Sequence, residues 1–398
     1  MHTDELPDPT TGALGPILAR ADALYHDLTM AAVRAHKEAH GAKAIGCLPI
    51  WAPRELVDDA GMLPVGLHGA GDRVEVIRGD AYFQSYICQI PRSTIEVALT
   101  GRYDLLDGFL FPAICDVIRN LSGMWKILFP DKLSRYVDVP QNFDPAVGGA
   151  FFARELRALA DDLAALSGRP VTDEALHASI ARYDENRRAI GELMALRERA
   201  PHKATASESY LVIRAGDVLP VEEHTALVRA YVAAAQASDR KPRDHTRVVL
   251  TGAFCEQPPL GLIRTLERAG TYIVWDDMTL GARWPEGDVE GEDPDPFVAL
   301  ARAYIARSPA TASRYEPSGD KGVPLARLTR RSRAEGVIFA APSFCDPALF
   351  DQPMLTGALD REAVPWTAFK YAENLGQFQV IREQAGTFAD SIRLWSER

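Results

Sequence analysis

Five cysteines, Cys47, Cys88, Cys115, Cys255 and Cys345, are the side chains with the most chemistry to offer. The count is odd, and the opening residues Asp4, Glu5, Pro7 and Asp8 form neither a basic nor an apolar leader, which together argue against a disulfide framework. The thiols are then either buried and free, or ligands. No Cys-x-x-Cys pair occurs, so the spacing excludes a zinc ribbon, a thioredoxin-like redox pair and a ferredoxin run. What remains open is a cluster held by widely separated cysteines, or thiols packed in a core.

Positioning such distant thiols is the task of the elements around them. Short apolar runs at Ala44–Leu48, Pro64–Leu67, Gly108–Phe111 and Tyr136–Val139 predict four parallel strands, with helices over Pro91–Leu99 and Asp116–Leu128. A second set of four strands is predicted at Arg247–Thr251, Tyr272–Val274, Gly336–Ala340 and Trp366–Phe369, interleaved with helices over Pro259–Arg268 and Phe297–Ala306. Between them Phe152, Leu156, Leu159, Leu163 and Leu166 recur at helical spacing, as do Leu14, Leu18, Ala21, Leu24 and Leu28 in one leading helix over Leu14–Ala32. The expected fold is α/β: two similar four-stranded parallel-sheet domains with helices on both faces, plus a helical segment. At about 150 residues per domain the length suggests two to three domains, and the expected divisions are a leading helical segment 1–41, a first α/β domain 42–149, a helical domain 150–245 and a second α/β domain 246–398.

The halves share punctuation. Each first strand runs through glycine into cysteine and proline, Gly46-Cys47-Leu48-Pro49 and Gly252 through Cys255 to Pro258. Each third strand runs into Pro-x-x-Cys-Asp, at Pro112–Asp116 and Pro342–Asp346. Ligands of open parallel sheets collect beyond the carboxyl ends of strands, where Cys47, Cys115, Cys255 and Cys345 are all expected. Cys88 lies just before Pro91, which fits the first position of a helix, so Cys88 and Cys115 both precede predicted helices whose amides and dipole favour thiolate.

The segment Gly46-Cys47-Leu48-Pro49, followed by Pro53-Arg54-Glu55-Leu56 and Ala60-Gly61-Met62-Leu63-Pro64-Val65, resembles the opening signature of the benzoyl-CoA reductase and 2-hydroxyacyl-CoA dehydratase family. Tyr86–Ser93, Ile114-Cys115-Asp116 and Ser343–Pro347 resemble its three cluster-binding regions in order. The resemblance implies that Cys88, Cys115 and Cys345 hold a 4Fe-4S cluster with one iron lacking a cysteine, and that Cys47 and Cys255 are packed thiols. Cys255 through Ile263 and Tyr272 through Asp277 look like the benzoyl-CoA reductase branch, with Trp275 departing from its more acidic run. The length is nearer that of the smaller, C-type cluster subunit than of the B-type.

On that resemblance the function is an iron-sulfur subunit of an ATP-dependent reductase that dearomatises an aromatic acyl-CoA. Expected partners are the acyl-CoA substrate, a homologous cluster-bearing subunit, an ATP-hydrolysing activator and ferredoxin. The absence of Gly-x-x-x-x-Gly-Lys-Ser/Thr agrees with ATP being hydrolysed elsewhere, and Gly148-Gly149 is too sparse to cradle phosphates. A 2-hydroxyacyl-CoA dehydratase subunit and a non-catalytic electron relay are the alternatives.

A net charge of -11, with 44 Lys and Arg scattered along the chain rather than gathered in a stripe, argues against nucleic acid as partner. No apolar run reaches the length of a membrane span, and the expected location is the cytoplasm. Arg92, Arg119, Lys126, Lys132 and Arg135 are candidates for the CoA phosphates. His68, His224 and His245 are read as structural, since none is spaced for pairing with a carboxylate, while Glu256 and Asp277 are the better proton donors. No catalytic residue is assigned.

Overall fold

The computed structural model describes residues 12–252, 258–291, 293–314, 316, 320–372 and 378–396. All eight expected strands are present: β1 (Lys43–Cys47), β2 (Met62–Gly66), β3 (Gly108–Pro112), β4 (Leu133–Val137), β5 (Thr246–Thr251), β6 (Thr271–Asp276), β7 (Gly336–Pro342) and β8 (Trp366–Tyr371). They form two wholly parallel sheets, ordered β2-β1-β3-β4 and β6-β5-β7-β8. Each half thus places its first strand inside, its second at one edge, and its third and fourth on the other side. β3 and β7 are buried along their whole length, as expected of a parallel strand covered on both faces, whereas the edge strands β4 and β8 keep partial exposure.

The fourteen helices are α1 (Leu14–His26), α2 (Ala31–His40), α3 (Arg54–Asp59), α4 (Gln89–Leu99), α5 (Asp116–Leu128), α6 (Ala150–Ser167), α7 (Asp173–Arg199), α8 (Ala206–Arg214), α9 (Val221–Ala237), α10 (Leu260–Arg268), α11 (Pro296–Arg307), α12 (Gly322–Arg331), α13 (Asp346–Arg361) and α14 (Gln379–Ser396), counted among the described residues. The single leading helix expected over Leu14–Ala32 is in fact two. Asp27 breaks it: its carboxylate accepts hydrogen bonds from the Thr29 amide at 2.8 Å, the Thr29 hydroxyl at 2.6 Å and the Ala31 amide at 2.7 Å. Met30 turns left-handed (φ 54°) before α2 starts. Helix α4 begins two residues earlier than expected, so Pro91 is its third residue; the first-turn amides have no intrahelical partner and proline costs nothing there.

Sheet β2-β1-β3-β4 packs with α6 and α11 into one core, which also takes in Ala341, Cys345 and Ala348 from the second half. A second core joins α1, the ends of α7 to α9, and α10 to one face of β5, β6 and β7. The two halves are therefore stitched through shared apolar packing, and the stitch includes Cys345.

Candidate functional site

In a βαβ unit the crossover helix runs back against its strands, so its N-terminus sits at the carboxyl edge of the sheet. Cys88, Cys115 and Cys345 are the N-cap residues of α4, α5 and α13, the helices that follow β2, β3 and β7. Each therefore stands at a carboxyl edge, at the positive end of a helix dipole. Phe344, just before Cys345, adopts a left-handed backbone (φ 65°), an uncommon conformation for an aromatic residue.

Cys88 and Cys345 are buried and Cys115 is partly exposed, all within the first core or packed against it. Burial pushes the Cys115 thiol above its ordinary value. The amides of Ile118 and Val117 draw it back, while negative charge at Cys345 and Asp116 would push it further up. Cys345 belongs to the first core and Cys115 packs against it, so both thiols share the apolar junction of the two halves. Among the described residues no three His, Cys, Asp or Glu side chains are arranged around a single metal ion. A polynuclear cluster makes a different demand, since it spreads its thiolates over several metal atoms.

Cys47, at the end of β1, is fully buried and hydrogen-bonds back to the Ile45 carbonyl at 3.6 Å. Burial pushes its thiol up to about 12, which makes it an inert packed group. Cys255 and Glu256 lie outside the described residues.

His68 and His224 are both buried and held neutral, pushed down to about 4 chiefly by desolvation. His224 is fixed on both sides, its Nδ1 accepting from the Asn186 amide at 3.0 Å and its Nε2 donating to the Val212 carbonyl at 3.1 Å. His245 is half-buried, its ring centroid 4.8 Å from that of Tyr272. Asp277 follows β6, where its carboxylate accepts from the Thr251 hydroxyl at 2.9 Å and the Gly252 amide at 2.7 Å.

Three of the five candidate cations for CoA phosphates have structural work. Arg92 donates to Gln89 at 2.7 Å and pairs with Asp80 at 3.2 Å. Lys132 donates to the carbonyls of Tyr103, Asp104 and Leu106, closing the loop before β3. Arg135 pairs with Glu155 at 3.0 Å and Asp162 at 3.2 Å. Arg119 lies over the Tyr136 ring, and Lys126 is exposed on α5. Gly148 has a packing reason: a β-carbon there would strike the Asn142 carbonyl.

The sequence did not disclose two features. One is a buried ionic hub behind Cys47, in which Asp217 meets Arg54 at 2.9 Å, Arg214 at 2.7 Å and His68 at 2.9 Å. Burial acts to raise the Asp217 carboxyl, but His68, Arg214 and Arg54 outweigh it and hold the group well below the usual carboxylate range. The other is a cavity of about 540 Å³ against the sheet of the second half. It reaches the ends of β5, β6 and β7 at Gly252, Trp275 and Ala341, and includes Ala348 on α13. Ala348 is three residues beyond Cys345, so the cavity touches the first turn of the helix that Cys345 caps.

Residues 49–392 match the family described as 2-hydroxyglutaryl-CoA dehydratase, D-component. The chain is 53% identical over 382 residues to the C-type subunit of benzoyl-CoA reductase from Thauera aromatica, covering 96% of this chain and 99% of that protein. It is 29% identical over 357 residues to the (R)-phenyllactyl-CoA dehydratase beta subunit of Clostridium sporogenes, covering 90% and 94%. Against the (R)-2-hydroxyglutaryl-CoA dehydratase beta subunit of Acidaminococcus fermentans the identity is 29% over 362 residues, covering 89% and 94%.

Proposed function

Because the chain belongs to the 2-hydroxyglutaryl-CoA dehydratase D-component family, we propose that it is the iron-sulfur subunit of a benzoyl-CoA reductase, holding a 4Fe-4S cluster through Cys88, Cys115 and Cys345. The observation that carries the reductase reading is the contrast between 53% identity to a reductase subunit and 29% to dehydratase beta subunits, each over at least 89% of the chain. The donor set supports the cluster reading: three reduced thiols, each capping a helix at a carboxyl edge, two of them from equivalent corners of the two halves.

When bound, such a cluster supplies one-electron transfer at low potential. The chain's own part is to favour thiolate and exclude water. The N-terminal dipoles of α4, α5 and α13 stabilise the anionic sulfurs, and burial of Cys88 and Cys345 keeps solvent from them. Cys88, Cys115 and Cys345 would hold three of the irons of such a cluster and would leave the fourth without a cysteine, open to water or substrate.

The low-potential electron is supplied by a separate ATP-hydrolysing activator, itself reduced by ferredoxin, a division of labour that a sequence without Gly-x-x-x-x-Gly-Lys-Ser/Thr does not contradict. The complex, in the cytoplasm, is completed by a homologous partner that bears a cluster of its own. No helix among the described residues is long and apolar enough to cross a membrane.

The test is anoxic purification with the co-expressed partner, followed by iron and acid-labile sulfide analysis. Wild type and Cys47→Ala should carry about four irons per chain at this site, and Cys88→Ala, Cys115→Ala and Cys345→Ala should each lose them. A colourless wild type that stays empty after reconstitution sinks the cluster assignment. Reaction products separate the chemistries: a reduced ring supports the reductase, whereas an enoyl-CoA formed from a 2-hydroxyacyl-CoA supports the dehydratase.

A further inference from the structure

We propose that a basic cavity at the amino edge of the second sheet, walled by His202, Lys241, Arg243 and His245, binds a small multiply charged oxyanion, a phosphate or diphosphate that is either free or the end of a nucleotide. The cavity lies at the starts of β5 and β6, away from the carboxyl edges where the three thiols cap their helices, and its assignment does not depend on the cluster.

A short linker builds one wall. Between α9 and β5 it carries Arg240-Lys241-Pro242-Arg243 and then His245. Proline fixes one backbone angle of this stretch, and the Arg243 amide donates to the Tyr272 hydroxyl on β6 at 2.8 Å, so the linker is tied to the sheet. His245 strengthens the tie, its ring tilted 42° against that of Tyr272. The facing wall comes from His202 and Thr205, just before α8. The enclosed volume is about 220 Å³. Drug-sized molecules occupy roughly 300–1,000 Å³, so this space suits an oxyanion or one end of a longer ligand.

Uncompensated charge decides the ligand. Glu267 is the carboxylate among the lining residues, and both its oxygens are taken: one accepts from the Ala206 and Ser207 amides at 2.7 and 3.2 Å, the other from the Ser207 hydroxyl at 2.6 Å. Arg240 is offset by Glu208 through two bonds of 2.7 Å. Lys241 is exposed, and neither it nor His202 has an ion-pair or hydrogen-bond partner among the described residues. Asp239 and Asp244 belong to the same linker but do not line the cavity. Burial pushes the Tyr272 phenol up against the pull of Arg243, so it stays uncharged at neutral pH. Its oxygen accepts from the linker, which leaves its proton for a ligand. In a chain of net charge -11, an ammonium, a guanidinium and two imidazoles around one small space match the charge and the several acceptor oxygens of a phosphate better than a monocarboxylate. Strands β5 and β6 are six residues long, which puts the ligand roughly 20 Å from the carboxyl edge of this sheet; it is held there, not transformed.

The experiment titrates the anoxically purified complex with sodium pyrophosphate in phosphate-free buffer and reads the heat. Saturable binding is expected, and Lys241→Gln and Arg243→Gln should each weaken it by about tenfold, the weight of one charge-assisted hydrogen bond. Lys241→Arg should stay near wild type, and Arg34→Gln, which removes an exposed cation on α2, should change nothing. Replacing the Arg243 side chain leaves its amide bond to Tyr272 in place; should that variant nonetheless fail to fold, Lys241→Gln decides alone. Acetate at equal ionic strength should not compete. ADP separates the two sources: affinity no better than that of pyrophosphate identifies free diphosphate as the ligand, and tighter binding identifies the end of a nucleotide. Heat that never saturates overturns the proposal, as does wild-type affinity in Lys241→Gln or in the Lys241→Gln/Arg243→Gln double variant.

Discussion

Cys115 and Cys345 occupy the same position in the two halves: each follows the third strand of its sheet, each caps the helix that leads to the fourth, and both lie in or against the first core. Cys88 has no such counterpart among the described residues, since it caps the crossover helix of the first half alone. The proposed donor set is thus a duplicated pair plus one addition.

Thiol reactivity should follow this arrangement. In iron-stripped protein at pH 8, limited alkylation followed by mass spectrometry should label Cys115, the partly exposed thiol, well before Cys47, which burial holds at about 12. Labelling of Cys47 first would contradict its assignment as a packed group. Loading with iron and sulfide should protect Cys115 while Cys47 stays silent.

The hub at Asp217 should be costly to break. Asp217→Asn leaves Arg54 and Arg214 buried without their counter-charge, and removing one partner of a buried pair costs about 3–5 kcal/mol. A urea titration read by circular dichroism should show that loss; a change below about 1 kcal/mol would mean that the arginines find other acceptors.

His224 should make the fold sensitive to acid. Its imidazole takes up a proton near 4 in the folded chain and near 6.5 when unfolded. The unfolded state therefore binds more protons between those values, so the contribution is complete above pH 6.5 and drains away as pH falls toward 4, by up to about 3 kcal/mol. His68 is displaced in the same direction and adds to the effect. In His224→Gln the slope of stability against pH across this window should be shallower; an unchanged slope would refute the assignment.

Asp59 predicts the opposite sign. Asp59 is 7% exposed, neither carboxylate oxygen has a hydrogen-bond partner among the described residues, and burial, aided by the charge of Asp58, pushes it up to about 6. Its folded value lies above the unfolded one, so its contribution is complete below about pH 4 and is lost as pH rises through 6. Asp59→Asn should stabilise the protein at pH 8 by an amount on the order of 1 kcal/mol, after discounting for solvent screening, and leave it unchanged at pH 4. Equal melting temperatures at pH 8 would count against it.

Much of this architecture was legible because buried parallel strands announce themselves. Gly108-Phe-Leu-Phe and Gly336-Val-Ile-Phe-Ala are apolar runs bounded by glycine and proline, and both lie wholly inside. The repeated Pro-x-x-Cys-Asp located the two equivalent thiols for the same reason, since strand ends and helix starts have local signatures. Other features had none. The break between α1 and α2 is made by one carboxylate at Asp27 while the apolar period runs on, so periodicity could not report it. Arg54 and Asp217 meet only through tertiary packing.

The placement of Cys345 has a consequence for biosynthesis. Cys88 and Cys115 leave the ribosome with the first sheet, but the third thiol follows only after the helical segment and most of the second sheet have been made. It reaches its neighbours only when Ala341, Cys345 and Ala348 dock into the first core. A nascent chain, or one truncated before β7, can present two of the thiols and never the third. If the three thiols hold the proposed cluster, its loading becomes a checkpoint on complete translation, and stalled or clipped chains should accumulate without colour.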